Sequence, residues 1–270
     1  MTIDFPALET LTFEEPEPGI GILRMNRPDR MNSQTVRMFH EYLAAGRALR
    51  DSRLRALIVT GTGERAFCAG FDLDEIDVLT EMGVREFLRF QETATGGIQS
   101  LRHLPFPVIA AIHGPATGGG LALALACDIR LAAPTLKMSA AFVKVGLSIG
   151  ELGTSFTLTR LIGPAHAAEI AYTARIVEAE EALRIGLVNQ VVPTAELLDA
   201  ALAMARQIAQ NSPGGVRMSK RAIQRNAEIG SYEAALELEN RGQALLTRTD
   251  DMPEALAAFK AKRTPEFTGR

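Results

Sequence analysis

The sequence predicts an α/β core followed by an all-helical tail, and three observations carry that division. Up to Pro193, short apolar runs closed by glycine or proline alternate with longer stretches of helical periodicity, the pattern of buried strands connected by helices. From Ala195 onward every periodic stretch has helical spacing. Between these regions lies Ala110 to Asp128, AAIHGPATGGGLALALACD, in which an apolar run ends at a glycine turn and three glycines open an apolar helix. The first N–H groups of a helix have no intrahelical partner, so this unit can hold an anion or a developing oxyanion; it can equally be a plain strand-to-helix turn. Glycine there permits both the tight turn and the close approach of a ligand.

Thr10 to Met25 reads as a hairpin turning at Pro16, Pro18 and Gly19. A polar loop, Asn26 to Asn32, leads to a helix from Ser33 to Arg50. Ala56 to Thr60, ALIVT, is a short buried strand. Ala66 to Cys68 reads as another, followed by a turn at Ala69-Gly70. Asp72 to Leu104 is mainly helical, with breaks expected near Gly83 and at Gly96-Gly97. Strands follow at Pro107 to Ile112, Asp128 to Ala132 and Leu136 to Ser139, with the small-residue helix Leu121 to Cys127 between the first two. A glycine-broken loop from Gly146 runs into a helix over Thr154 to Ile162. Short helices over Pro164 to Ala174 and Glu178 to Ile185 precede a last strand, Val188 to Val192. The tail reads as four helices: Ala195 to Asn211, Val216 to Glu228, Tyr232 to Thr247 and Pro253 to Lys262. Residues 1–194 thus form the core and 195–270 a helical region that packs on the core or on another subunit.

Composition narrows the function. The 270 residues are 47% apolar with a formal net charge of −3, which describes a globular chain without a general affinity for nucleic acid or anionic membranes. The acidic start, MTIDFPALETLTFEEPEPG, lacks the apolar core of a signal peptide, and no apolar stretch is long enough to cross a bilayer. A cytoplasmic location is expected. Cys68 and Cys127 have no metal-site spacing and are expected as buried free thiols. His40, His103, His113 and His166 never fall at ligand spacing, so no metal is expected. Gly61-x-Gly63 lacks a third glycine at the dinucleotide spacing, and no phosphate-loop motif occurs. Gly146-Leu147-Ser148-Ile149-Gly150 fits a nucleophile elbow, but Glu151 and His166, the acid and histidine downstream, follow too closely for a hydrolase layout.

Three stretches together resemble the enoyl-CoA hydratase/isomerase (crotonase) family: Asn26 to Asn32 with its Asn-Arg-Pro start, AFCAGFDLDEI at Ala66 to Ile76, and HGPATGGGLALALACD at His113 to Asp128. GLSIGELGTSFTLTRLIG at Gly146 to Gly163 and EEALRIGLVNQVVP at Glu180 to Pro193 extend the likeness, in the family's order, over nearly the whole chain. The resemblance implies a spiral of ββα repeats with a C-terminal helical trimerisation region, assembled as a homotrimer or a dimer of trimers. It implies acyl-CoA thioester substrates, with no cofactor beyond the CoA of the substrate. It also implies two backbone N–H groups that hold the thioester oxygen, and the motif match places them on Phe71 and Gly119. Such fixed donors, aimed at an oxygen where charge develops, are each worth roughly 10²–10³ in rate. CoA is expected along Arg30, Met31 and the backbone of Ala69, Gly70, Phe71, Asp72 and Leu73, with Gly118, Gly119 and Phe142 also in the binding set. Lys260, Lys262 and Arg263 are candidates for the phosphates, or form a solvated helix end.

The chain departs from the family at two positions. Hydratases of the family use two glutamates, and the matching positions here are Ala122 and Phe142, neither of which can hold or move a proton. Glu151, in Gly150-Glu151-Leu152-Gly153-Thr154, falls close to where some isomerases of the family carry an aspartate, after a one-residue shift. One carboxylate can take a proton from one carbon and return it to another, which is a double-bond shift. Walls of Phe142, Leu147 and Phe71 are expected to desolvate it and raise its pKa; the alternative is a helix cap or an ion pair with Arg160. Ser148 and Thr154 are secondary polar candidates, while His113, Asp72 and Asp128 read as structural. Glu86 and Glu92 lie on a helix that the sequence does not orient. The resemblance therefore implies an enoyl- or dienoyl-CoA isomerase, with hydration by other groups, or acyl-CoA binding without turnover, as the alternatives.

Overall fold

The structure, a computed structural model, describes residues 7–270; the reading of the amino terminus falls partly on residues 1–6, outside the described residues. Among the described residues nine strands and ten α-helices follow one another, and two sheets organise them. Strands β1 (Leu11–Glu17) and β2 (Ile20–Met25) form the expected hairpin. β2 then pairs in parallel with β3 (Ala56–Gly61), which pairs with β4 (Val108–Ile112), then β6 (Ile129–Ala132) and β9 (Gln190–Val191). The smaller sheet joins β5 (Pro115–Thr117), β7 (Lys137–Ser139) and β8 (Val177–Glu178).

The helices are α1 (Val36–Arg50), α2 (Ile76–Glu81), α3 (Val84–Arg102), α4 (Gly119–Ala126) and α5 (Thr154–Thr173). After them come α6 (Ala179–Arg184), α7 (Leu197–Ala209), α8 (Pro213–Asn226), α9 (Tyr232–Leu246) and α10 (Asp251–Ala261). The same unit recurs along the core: a strand in the large sheet, a strand in the small sheet, then a helix. β4–β5–α4 and β6–β7–α5 are complete copies. This winding is the spiral of strand–strand–helix turns that the resemblance implies. At β3 the second strand is reduced to a single bridge between Cys68 and Ala116, so the strand expected over Ala66 to Cys68 does not form.

Side chains of the large sheet alternate between two cores, as a period of two requires. Leu57, Val59, Val108, Ala110 and Ile112 face α1, α3 and α4. Ala56, Ile58, Ile109 and Ala111 face the other way and are covered by Leu197, Ala201 and Ala205 of α7, one helical turn apart. The first helix of the tail therefore closes the back of the sheet, just after the boundary drawn at Pro193.

The break expected at Gly96-Gly97 is absent; α3 runs through both residues. A Cβ on Gly97 would lie 2.7 Å from the Phe39 carbonyl of α1, so this glycine serves close helix packing rather than termination. α5 does kink at Gly163 (φ 77°, ψ 164°), just before Pro164, where the sequence places a boundary between two helices. Cys68 and Cys127 are buried free thiols, and burial pushes both up to about 12. Among the described residues, no helix is long and apolar enough to cross a membrane.

Candidate active site

Two loops leave the carboxyl ends of neighbouring parallel strands and meet. The first follows β3 and contains Ala69 to Leu73; the second follows β4 and β5 and contains Thr117 to Gly119 at the start of α4. Gly70 has φ +100°, and a Cβ on it would lie 2.8 Å from Thr117 O and 3.6 Å from Gly119 N. Gly120 is pressed still harder: a Cβ there would lie 2.1 Å from Cys68 O. Only residues without a side chain allow the loops to touch in this way.

Several amides of the two loops are engaged. Ala69 N–H donates to Met31 O at 3.1 Å, Asp72 N–H to Gln34 O at 2.8 Å, and Gly118 N–H to Ser139 O at 3.0 Å. Among the described residues, neither Phe71 N–H nor Gly119 N–H is bonded to another loop or turn carbonyl. Gly119 is the first residue of α4, where the helix itself offers its N–H no acceptor. Two free donors thus stand on adjacent segments, at the wall of a cavity of about 420 Å³.

The cavity is largely apolar. Phe71 stacks on Phe39 of α1 (centroids 6.3 Å apart, planes 8° apart) and meets Phe90 of α3 edge-on at 5.7 Å, geometries that aromatic pairs favour. Ala69, Gly70, Leu73, Gly118, Phe142 and Leu147 also line it. Phe142 is buried, so its ring occupies a wall where a carboxylate has no counterpart; Ala122, also buried in α4, adds no polar atom.

Glu151 joins this wall from the loop before α5. Gln91 of α3 donates its Nε2 to Glu151 Oε2 at 3.3 Å. Burial raises the Glu151 carboxyl above the ordinary glutamate value, and the Gln91 bond opposes that rise. The loop is bent to bring it there: Leu152 (φ 51°) and Gly153 (φ 80°) are both left-handed. A left-handed leucine is strained by roughly 1–2 kcal/mol, the kind of strain that collects at working sites.

Arg30, Met31 and Asp72 are not on the cavity wall. Asp72 is almost wholly buried and pairs with Arg27 at 2.7 Å and with Arg30 at 3.1 Å, while Ser33 Oγ donates to it at 3.0 Å. These bonds hold its carboxyl far below the usual range despite its burial. Its carboxylate is a tether between two loops, in keeping with the structural reading of this side chain, and only the Asp72 backbone is left to run beside a ligand. Arg30 also pairs with Asp74, and its half-exposed guanidinium sits with this tether. Met31 has a left-handed backbone (φ 51°) and contributes its carbonyl to Ala69 N–H. Ser148 Oγ accepts from its own loop, at Gly150 N–H, and Arg263 pairs with Glu254 at 2.6 Å. Among the described residues, no group of three or more histidine, cysteine, aspartate or glutamate residues is gathered to hold a metal.

Sequence reasoning passed over Gln34, Phe39, Phe90 and Gln91, all on this wall. Gln91 left a signal: Phe87, Phe90, Gln91 and Ala94 fall on one helical stripe, with a single amide among apolar residues.

The comparisons with known proteins bear on this geometry. The profile described as enoyl-CoA hydratase/isomerase matches residues 15–270. This chain belongs to the enoyl-CoA hydratase/isomerase family. It is 36% identical over 255 residues to the short-chain-enoyl-CoA hydratase of Clostridium acetobutylicum, covering 93% of this chain and 95% of the relative. A Mycobacterium tuberculosis protein named "Probable enoyl-CoA hydratase EchA12" is 40% identical over 263 residues, covering 94% of this chain and 91% of its own. Among solved structures, an enoyl-CoA hydratase from Bacillus anthracis superposes with a TM-score of 0.91 at 33% identity, covering 97% of this chain and all of that one. As a member of the hydratase/isomerase family, the chain is an enzyme of the crotonase superfamily whose expected substrates are acyl-CoA thioesters.

Proposed function

We propose that the protein shifts a carbon–carbon double bond in an enoyl- or dienoyl-CoA, with Glu151 carrying the proton. The observation that supports this most is that, among the described residues, Glu151 is the one carboxylate lining the cavity that also holds the free Phe71 and Gly119 amides. The thioester oxygen accepts from these two N–H groups. The Glu151 carboxylate removes a proton from the α-carbon of a β,γ-unsaturated thioester. Negative charge passes through the extended enolate onto the held oxygen, and the protonated Glu151 returns the same proton to the γ-carbon. No atom is gained or lost, so one acid suffices. The phenylalanine wall excludes water, which strengthens the amide contacts, and burial raises the Glu151 pKa, making the carboxylate a stronger base. CoA is read as running along the backbone of Ala69 to Leu73 at the cavity rim.

Hydration is the second reading, favoured by the names of the relatives, which are enoyl-CoA hydratases. Against it stand Ala122 and Phe142, which supply no second acid or base. The two readings separate in one experiment. Offered a β,γ-enoyl-CoA, the isomerase develops conjugated-enoyl absorbance, and Glu151→Gln abolishes that while still binding the thioester in a calorimeter. Rapid loss of the conjugated absorbance of crotonyl-CoA would instead establish hydration.

A further inference from the structure

Gln34 lies in the turn before α1, outside the segments that carry the free amides, yet it touches both. Through its backbone it brackets Phe71: Gln34 N–H donates to Gly70 O at 2.7 Å, and Gln34 O accepts from Asp72 N–H at 2.8 Å, so the two residues form a one-rung parallel bridge. That pairing consumes the groups on either side of Phe71 and leaves the Phe71 N–H free. Through its side chain Gln34 holds the other segment. Nε2 donates to Gly119 O at 3.3 Å, and Oε1 presses so close that a Cβ on Gly119 would lie 2.1 Å from it.

The amide is wholly buried; Oε1 has no hydrogen-bond partner, while the buried Tyr42 hydroxyl of α1 also faces the Gln34 amide. A buried polar atom left unpaired destabilises a fold, and an apolar side chain of the same reach would remove that burden. Gln34 lies on the cavity wall, but its Oε1 has almost no accessible surface, so a direct contact of that oxygen with substrate does not account for it. What the residue does is span the gap between the Phe71 strand and the first turn of α4.

We infer that Gln34 is a positioning residue that sets the separation and aim of the Phe71 and Gly119 amides. The inference rests on the paired-amide reading above. Its physical basis is that preorganised donors act only if held at the place where the oxyanion forms, and a misplacement of about 1 Å costs about 10²-fold in rate. The side chain works from behind the Gly119 backbone, so it shapes the hole without entering it.

The test uses a bound conjugated thioester, 2,4-hexadienoyl-CoA, whose absorbance moves to longer wavelength when its carbonyl is polarised. Gln34→Met keeps the reach and removes the amide. It is expected to bind the probe within about threefold of wild type, to lose most of the wavelength shift, and to lower kcat by about tenfold or more with little change in KM. Gln34→Asn keeps the amide on a shorter arm and decides the matter if the methionine variant does not fold; a reduced shift is expected there too. A role in stability alone would lower the melting temperature and leave the shift of the folded protein intact. A full shift in the folded variant overturns this inference and leaves the paired-amide reading standing. If wild type itself produces no shift, the reading falls and the inference with it.

Discussion

Gln91 Nε2 reaches Glu151 Oε2 at 3.3 Å, joining the middle of α3 to the loop that precedes α5. This is the one hydrogen bond that opposes the burial-driven rise of the Glu151 pKa. A bond to the charged carboxylate favours ionisation, so its removal leaves desolvation unopposed and moves the pKa further up. The base is active when deprotonated. Gln91→Leu should therefore shift the acid limb of the kcat/KM–pH profile to higher pH, with the plateau at high pH largely retained. A limb that stays in place, or moves down, means that Glu151 is not the titrating base.

Replacing Glu151 by Gln keeps the shape and removes the base. Double-bond migration should fall by about 10²–10⁴-fold, measured with a β,γ-enoyl-CoA, while the thioester still binds. The same change should raise stability at neutral pH. A carboxyl whose folded pKa lies above its unfolded value stabilises the fold only while protonated; that contribution is lost as pH rises through the folded pKa. As pH rises through the folded pKa the wild type takes on a buried charge that the variant lacks. Thermal melts at pH 7 and pH 4 should show the variant's advantage shrinking at the lower pH.

Gly70 lies where the two loops touch. An alanine there meets Thr117 O at 2.8 Å and must also adopt φ near +100°. The peptide that carries the Phe71 N–H has to move to accommodate it. Gly70→Ala should lower kcat by about 10²-fold or more and also reduce stability, since a β-carbon is disfavoured at such a φ. Normal turnover by the folded variant would show that the Phe71 amide takes no part.

The large sheet was legible because its strands are uninterrupted apolar runs such as ALIVT, bounded by glycine or proline. Of the small sheet only β7 was legible, at Leu136 to Ser139; β8 has two residues and β5 three, too few to display a period. Gly96-Gly97 misled because the same residue type breaks a helix in one setting and admits a neighbouring helix in another; Phe39 O beside Gly97 decides which. In the site, the triple glycine and Glu151 stood out as residue types with a chemistry. Asp72, following a turn, reads as structural in the sequence, and its two arginine pairs fit that reading. Gln34 did not declare itself, because the bridge that gives it its place joins segments about forty residues apart.

The Asp72 tether makes a prediction about the fold rather than the chemistry. Its carboxylate pairs with Arg27 and Arg30 and also accepts from Asp74 N–H at 3.1 Å. Because its folded pKa is depressed, its contribution is fully present above the unfolded value of about 4 and is lost as pH falls below it. Breaking a fully buried pair costs about 3–5 kcal/mol; Arg30 is half exposed, so Asp72→Asn is expected to cost about 2–3 kcal/mol in urea unfolding at pH 7. The loss should narrow as pH falls below about 4, because the unfolded chain's carboxyl takes up a proton there while the folded carboxylate stays charged. The acid limb of the pH–rate profile should keep its position in this variant, because that limb belongs to Glu151. Were the limb to move with Asp72, the carboxylate would be acting on the reaction and not merely holding the Ala69 to Leu73 loop in place.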